Sequence, residues 1–423
     1  MIVQFRFDEA SWSRPEIPYA IETIAPLLDC RYRILPPSVD ATPDSPVVFI
    51  GEPGRAPANA AVCVLAGPGS AWPRERVVAA SFDGAPLLVG PGADVGVASG
   101  RELPSAWLRT LAYVLLREEE RQTSVRDQWE CFSAFQSRLH ELALLDRPIV
   151  HGLADALGHR IHAWCERHHL TLPGLPRWKG DAPFAAVLSH DVDWTRRFSV
   201  VEGLRLLARA RGPRSYALRH GLSTIAASLT RDWRQPDPYW SFDRWMEEEA
   251  RRGYRSAFYF FAERPGRPHP YDATYRYSDP ILFQGAQTTI ANMMRRMVEG
   301  GFEVGLHGSY LSHRDTHELA RQRTEVERAV GSPLAGLRQH FLRFDIEATW
   351  SAQDGAGFGY DSTLGYNEAI GFRAGLAAPF HPFDPGRGRP LDLLELPVTA
   401  MDGVLFRTMR LDGPGAARRI VEH

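Results

Sequence analysis

No stretch of this 423-residue chain approaches eighteen uninterrupted apolar residues, so no membrane-spanning helix is expected. The N-terminus, Met1 to Glu9, has no basic segment followed by an apolar run and small cleavage residues. It therefore reads as lacking a secretory leader, and a cytoplasmic location is the expectation. Cysteine is scarce. Cys30, Cys63, Cys131 and Cys165 are far apart and form no Cys-x-x-Cys pair, which excludes the commonest zinc and thiol-redox motifs and points to reduced, buried thiols. Net charge is also nearly absent, with 49 basic against 51 acidic side chains. That leaves no electrostatic footprint for a nucleic acid. The run Gly51-Glu52-Pro53-Gly54 lacks the Lys-Ser/Thr and the glycine spacing of a phosphate loop. Internal repeats and low-complexity tracts are missing too, and composition leaves the oligomeric state open.

What is present is an ordinary globular composition, 44% hydrophobic and 24% charged, on a chain long enough for more than one core. Residues 1–120 carry short apolar runs, Pro46–Gly51 and Ala61–Ala66, separated by Pro- and Gly-rich turns and followed by the helical stretch Ala106–Arg117. This reads as a small α/β domain. Residues 121–180 read as a helical connector, with Leu139, Leu142, Leu145, Ile149, Leu153, Leu157 and Ile161 at helix-like intervals and Pro148 opening a second helix. The run Leu172-Pro173-Gly174-Leu175-Pro176 ends it. From 181 to 423, strand-like runs alternate with helical ones, which predicts βα repeats and a parallel sheet or barrel. The expected strands are Ala185–Ser189, Ser256–Phe261, Phe302–Leu306, Leu337–Phe341, Tyr360–Leu364 and Leu393–Val398. An Arg-rich insertion, Val200–Asp237, is expected to form one or two surface helices, and Ala416–His423 a terminal one.

Chemistry gathers at three expected strand ends. Ser189-His190-Asp191-Val192-Asp193-Trp194 places two carboxylates on one side of an extended chain. In a dry pocket their repulsion calls for a cation or a shared proton. The alternative is a helix N-cap with a turn-forming acid. After the third expected strand comes His307-Gly308-Ser309-Tyr310-Leu311-Ser312-His313, with two imidazoles, the commonest metal ligands. A lone strand-end histidine is more often a hydrogen-bonded core residue, but this one recurs where the acid pair stands. The fourth carries Arg338-Gln339-His340-Phe341, where a guanidinium can fix a carboxylate through paired hydrogen bonds.

In this order and spacing the chain resembles the polysaccharide-deacetylase family, the NodB-homology group of carbohydrate esterase family four, over about residues 181 to 423. The resemblance implies a distorted (β/α) barrel following the small α/β domain and the connector. It implies Asp191 as general base, Asp193 and His307 as ligands of a divalent metal, most simply Zn2+, and Arg338 as the residue that orients the base. The family's second motif is His-x-x-x-His, and Leu311 stands where its second histidine belongs. His313 or His340 is then expected to complete the site, with the shorter loop favouring His313. A backbone N–H near Phe341 is the expected oxyanion donor. The family's general-acid histidine, from a Leu-x-His segment, is expected beyond residue 423.

Candidate substrate contacts are Trp194 and Tyr310 beside the proposed ligands, His340 and Phe341, and Arg373 in the long loop Gly371–Asp384. Most other aromatics of this half, among them Tyr239, Trp240, Tyr366 and Phe372, read as core. The implied activity is metal-dependent removal of an N-acetyl or similar acyl group from an amino-sugar or polysaccharide precursor, with a carbohydrate as partner. A glycan-binding or assembly protein with impaired catalysis, and another metal-dependent hydrolase of non-peptide C–N bonds, are the alternatives. Metal content and the amine released would separate them.

Overall fold

The computed structural model describes residues 1–423 apart from 68, 70, 98, 210–213, 233–235 and 265–268. The chain divides into two compact units, Met1–Ala185 together with Leu364–His423, and Ala186–Thr363. Both the stretch read as a connector and the segment after Thr363 fall in the first unit. Among the described residues, no helix is long and apolar enough to cross a membrane.

In the first unit, strands β1 (Val3–Phe7), β2 (Tyr32–Leu35), β3 (Val47–Gly51), β4 (Ala60–Leu65) and β7 (Glu102–Leu103) form a parallel sheet in the order β2-β1-β3-β4-β7. β3 is buried along its whole length, which is why it reads as an unbroken apolar run rather than an alternating one. Strands β5 (Val78–Phe82) and β6 (Ala85–Val89) make an antiparallel hairpin. Asp83 and Gly84 at its turn have φ of 51° and 79°, the pair of left-handed residues that such a tight turn requires. The helix Ile149–Arg167 follows Pro148 directly. It buries Ile149, Leu153, Leu157 and Ile161, the stripe its sequence spacing predicted. All four cysteines are buried and unbonded to one another.

The second unit is built on a parallel sheet of β8 (Ser189–Val192), β9 (Ala257–Phe260), β12 (Glu303–Gly308), β13 (Gly336–Gln339) and β14 (Tyr360–Asp361), each beside the one before it. A two-stranded hairpin, β10 (Pro280–Phe283) and β11 (Ala286–Thr289), lies between β9 and β12 in sequence. Helices Val200–Arg209, Arg214–Thr230 and Phe242–Arg251 link β8 to β9, and helices Ile290–Glu299, Thr316–Val330 and Thr349–Gly355 supply the later crossovers. Among the described residues the sheet is open, and the pairing closes no barrel. Mixed α/β architecture with parallel sheets is what the structure establishes.

The first strand of this sheet is displaced from its expected place. Pairing starts at Ser189, while the apolar run before it is left out, with Val187 63% exposed and Leu188 40%. Asp191 therefore lies within β8 and Asp193 just beyond its end. The register aligns Asp191 with Tyr259, Tyr259 with Gly305, and His307 with Arg338. Period-2 alternation then puts Asp191, Asp193, Phe261, His307 and Arg338 on one face. Glycine at 305 and 336 leaves room for aromatic rings on that face. A Cβ would come within 2.6 Å of the Tyr259 ring at Gly305, and within 2.0 Å of the Tyr360 ring at Gly336.

Candidate metal centre

Three potential ligand atoms converge at the C-terminal ends of β8, β12 and β13. Asp193, His307 and His340 each offer one, all within 4.8 Å of one another. Asp193 Oδ1 stands 3.2 Å from His307 Nε2 and 3.3 Å from His340 Nδ1, and the two ring nitrogens are 3.1 Å apart.

Their tautomers follow from the other side of each ring. His307 Nδ1 lies 2.9 Å from the Arg338 carbonyl, which can only accept, so this nitrogen carries the hydrogen and Nε2 keeps its lone pair. His340 Nε2 lies 2.7 Å from the Tyr271 carbonyl, so here Nδ1 keeps the lone pair. Two imidazole lone pairs and a carboxylate oxygen thus point at a common space. Three acceptors at such distances repel unless a cation or an added proton sits between them. Two nitrogens and one carboxylate oxygen suit zinc, and carbonyl-anchored far nitrogens are how proteins orient metal-binding histidines.

The walls fit the same role. The Phe261 ring meets the His307 and His340 rings edge-on, at centroid distances of 4.7 and 4.9 Å. Burial disfavours the charged form of His307, but the carboxylates of Asp191 and Asp193 outweigh it and raise its pKa. For His340 burial prevails over Asp193 and its pKa is lowered.

Beside the triad, Arg338 holds Asp191. Its Nη1 donates to Asp191 Oδ1 at 3.0 Å, while Nε donates to the Ser362 carbonyl at 2.7 Å and Nη2 to Ser362 Oγ at 2.9 Å. The guanidinium also lies over the Tyr259 ring, 4.8 Å from its centroid. Burial opposes its charge, yet the adjacent Asp191 more than compensates and raises its pKa. A cation gripped at all three nitrogens has little freedom, so it fixes one oxygen of Asp191 in place.

The other expected site residues are placed as follows. His313, expected as a ligand, lies outside the converging group. It is buried in a 3-10 turn, Ser312–Arg314, and burial together with the Arg314 charge lowers its pKa to about 4. His340, offered both as the less favoured second ligand and as a substrate contact, stands among the ligand atoms. The reason is backbone shape: Phe341 and Leu342 adopt left-handed φ of 59° and 48°, which breaks the chain's course just past β13. Leu311 is 54% exposed. Trp194 is half-buried next to Asp193.

Tyr310 is no open platform. It is buried, stacked on His269 at 4.5 Å and covered by the Arg343 guanidinium at 4.1 Å. Phe341 is half-buried, with its ring 4.3 Å from that of His340.

Arg373 is corrected from substrate contact to internal ion pair. It is 1% exposed, donates to both oxygens of Glu120 at 2.9 and 2.7 Å, and gives its remaining nitrogen to the Gly365 carbonyl. Sequence reasoning gave no role to Phe261, Ser362 or the Tyr271 carbonyl. The first could have been found from strand register; the Tyr271 carbonyl acts through backbone geometry that residue identity does not encode, and Ser362 accepts through both its carbonyl and its hydroxyl, at a place only the fold reveals.

No family model matches the chain, and no curated protein matches it in sequence. Among solved structures it is similar to a Mycobacterium smegmatis protein described as a "putative polysaccharide deacetylase", at 18% identity and a TM-score of 0.28, over 50% of this chain and 57% of that one. It is also similar to IcaB from Ammonifex degensii, at 15% identity and a TM-score of 0.24, over 43% of this chain and 84% of that one. The match thus spans less than two thirds of the Mycobacterium chain. Likeness of this extent assigns nothing, and the functional reading rests on the site itself.

Proposed function

We propose that the protein is a metal-dependent hydrolase that removes an N-acetyl or similar acyl group from an amino-sugar unit of a polysaccharide precursor, on a barrel-related fold of the polysaccharide-deacetylase type. The observation that carries this reading is the meeting of three lone-pair donors, Asp193, His307 and His340, beside a carboxylate locked by Arg338. A divalent ion held there, most simply zinc, would polarise an acyl oxygen and acidify a water.

The chain's own groups do the rest. Asp191, with one oxygen pinned by Arg338, has a second oxygen to take a proton from the attacking water. Phe261 seals one flank of the imidazoles against water. The Phe341 N–H is assigned to the developing oxyanion, a role whose loss typically costs about 100- to 1,000-fold in rate. His340 takes the part that the resemblance gave to a histidine at position 311. The four buried, unbonded thiols suit a reducing compartment, and the cytoplasm is the proposed place of the reaction.

The test combines metal analysis with an acetate-release assay on N-acetylglucosamine oligomers. About one zinc per chain, lost together with acetate release in Asp193→Ala, is the expected result. A protein that binds no metal, or that releases acetate equally well without it, overturns the assignment.

A further inference from the structure

The geometry points to an interaction surface on the two helices that follow β8, and to its partner, an anionic lipid bilayer on which the protein lies without spanning it. Helices Val200–Arg209 and Arg214–Thr230 carry five aliphatic side chains, Val201, Leu204, Leu218, Leu222 and Leu229, that are 51–77% exposed. A single exposed leucine needs no explanation, but five on two packed helices form a patch that does.

Contacts fix where these side chains point. The helices run antiparallel, since Gly203 faces Gly221 and Ile225, while Leu207, one turn on, faces Gly221 again. The first helix buries Leu206, and its Arg205 donates to the Thr274 carbonyl and to Asp279. The second sets Tyr216 edge-on to Tyr271 at a centroid distance of 4.7 Å. With 3.6 residues per turn, Val201 and Leu204 fall on the side away from Leu206, and Leu218, Leu222 and Leu229 on the side away from Tyr216. Both stripes therefore face outward from the unit.

The surface they make is a ridge. A Cβ at Gly203 would come within 2.7 Å of the Gly221 carbonyl oxygen, and one at Gly221 within 3.0 Å of the Gly203 carbonyl oxygen. The two backbones thus touch, and no groove is left at their crossing. A partner helix needs a groove to lie in. Aliphatic side chains on a ridge sink instead among acyl chains.

Charge selects the kind of bilayer. Residues 197–231 hold seven arginines and one acid, Glu202. That acid is buried beside Arg205. Arg214–Thr230 contains no acidic residue, and its exposed Arg214 and Arg219 flank the leucine stripe on either side. A second copy of this surface would bring cation against cation, and a nucleic acid would leave the leucines in water. A bilayer with anionic headgroups offers phosphates to the arginines and acyl chains to the leucines at once.

Co-sedimentation of the full chain tests this with two kinds of vesicle, phosphatidylglycerol mixed with phosphatidylcholine, and phosphatidylcholine alone. Binding to the mixed vesicles is expected to be about tenfold tighter or more, and to weaken by a similar factor when salt is raised from about 0.05 to about 0.5 M. Leu218→Gln, Leu222→Gln and Leu229→Gln together should abolish vesicle binding, with circular dichroism and metal content unchanged because all three side chains lie in water. Arg214→Glu with Arg219→Glu should remove the preference for phosphatidylglycerol. No vesicle binding, equal binding to both kinds, or binding that survives the leucine substitutions overturns the proposal. So does a wild-type dimer, seen by sedimentation velocity, that the leucine substitutions turn into a monomer, since a second copy would then cover the ridge. None of these readouts passes through the triad, so this surface and the hydrolase reading stand or fall separately.

Discussion

Two clusters of ionisable groups among the described residues are built on opposite principles. In the first unit Arg117 donates to Glu119 and Glu120, and Arg373 donates to both oxygens of Glu120, with all four side chains no more than 2% exposed. Each cation there meets an anion, and Ser137 Oγ completes Glu119 at 2.9 Å. In the second unit Asp193, His307 and His340 bring acceptor to acceptor. A self-satisfied cluster is explained by the fold alone. One that repels itself needs something the chain does not supply, and that difference separates a structural ion network from a site.

The comparison breaks most sharply at the triad. Asp193→Ala, His307→Ala or His340→Ala should each remove the metal and lower acyl hydrolysis by a thousandfold or more, measured by metal analysis and steady-state kinetics. His313→Ala should keep the metal. The reverse result, with His313 needed and His340 dispensable, would move the ligand set back to the loop that sequence spacing favoured.

The next largest effect belongs to the residues that hold the base. Asp191→Asn and Arg338→Lys should lower kcat by about 100- to 10,000-fold, the usual worth of a positioned proton acceptor, with metal content unchanged. Lysine cannot reproduce the three directed bonds that Arg338 makes to Asp191 and Ser362. Loss of metal in Arg338→Lys would mean that the guanidinium shapes the triad and not the base.

Much of the site was legible because parallel strands deliver their chemistry at one edge. Asp191, Asp193, His307 and Arg338 each follow a recognisable apolar run, and the register brings them together. The apolar stripe of helix Ile149–Arg167 was readable for a similar reason: its period is local. Three features were not readable. Whether an apolar run pairs is decided by its neighbours, so residues 185–188 looked like the strand when residues 189–192 are. Arg373 looked like a ligand contact because its partner, Glu120, is remote in sequence. His340 joins the triad immediately before two left-handed residues, and neither Phe341 nor Leu342 advertises that backbone as glycine would.

In the self-satisfied cluster the losses should be of stability, with metal binding untouched. Glu120→Ala leaves the buried Arg373 guanidinium without its carboxylate and Arg117 with Glu119 alone, and breaking such a buried pair typically costs about 3–5 kcal/mol. Denaturant melts of the variant should show this without any change in zinc affinity. The pH dependence follows from the same group. Burial alone would raise the pKa of Glu120, but Arg373 and then Arg117 outweigh it and lower the value to about 2. A depressed folded pKa means that the unfolded chain takes up the proton first. The contribution is therefore fully present above the unfolded carboxylate's range, near 4.5. It drains away as pH falls toward 2, and thermal melts across that window should record a decline that Glu120→Gln flattens.

The smallest effect tests the turn that delivers His340. Phe341 holds φ 59° and ψ 21°, a conformation that costs an L-residue about 1–2 kcal/mol. Phe341→Gly removes that strain, but it adds about 0.5–1 kcal/mol of unfolded-chain entropy and loses the ring packed 4.3 Å from His340. The terms nearly cancel, so its melting temperature should stay within a few degrees of wild type. Phe341→Val removes the same ring while its branched Cβ aggravates the left-handed strain. Valine should therefore melt below glycine and bind zinc more weakly, because the chain can relieve the strain only by carrying His340 out of line. If valine and glycine behave alike, the left-handed turn does not set the position of His340, and ring packing alone accounts for it.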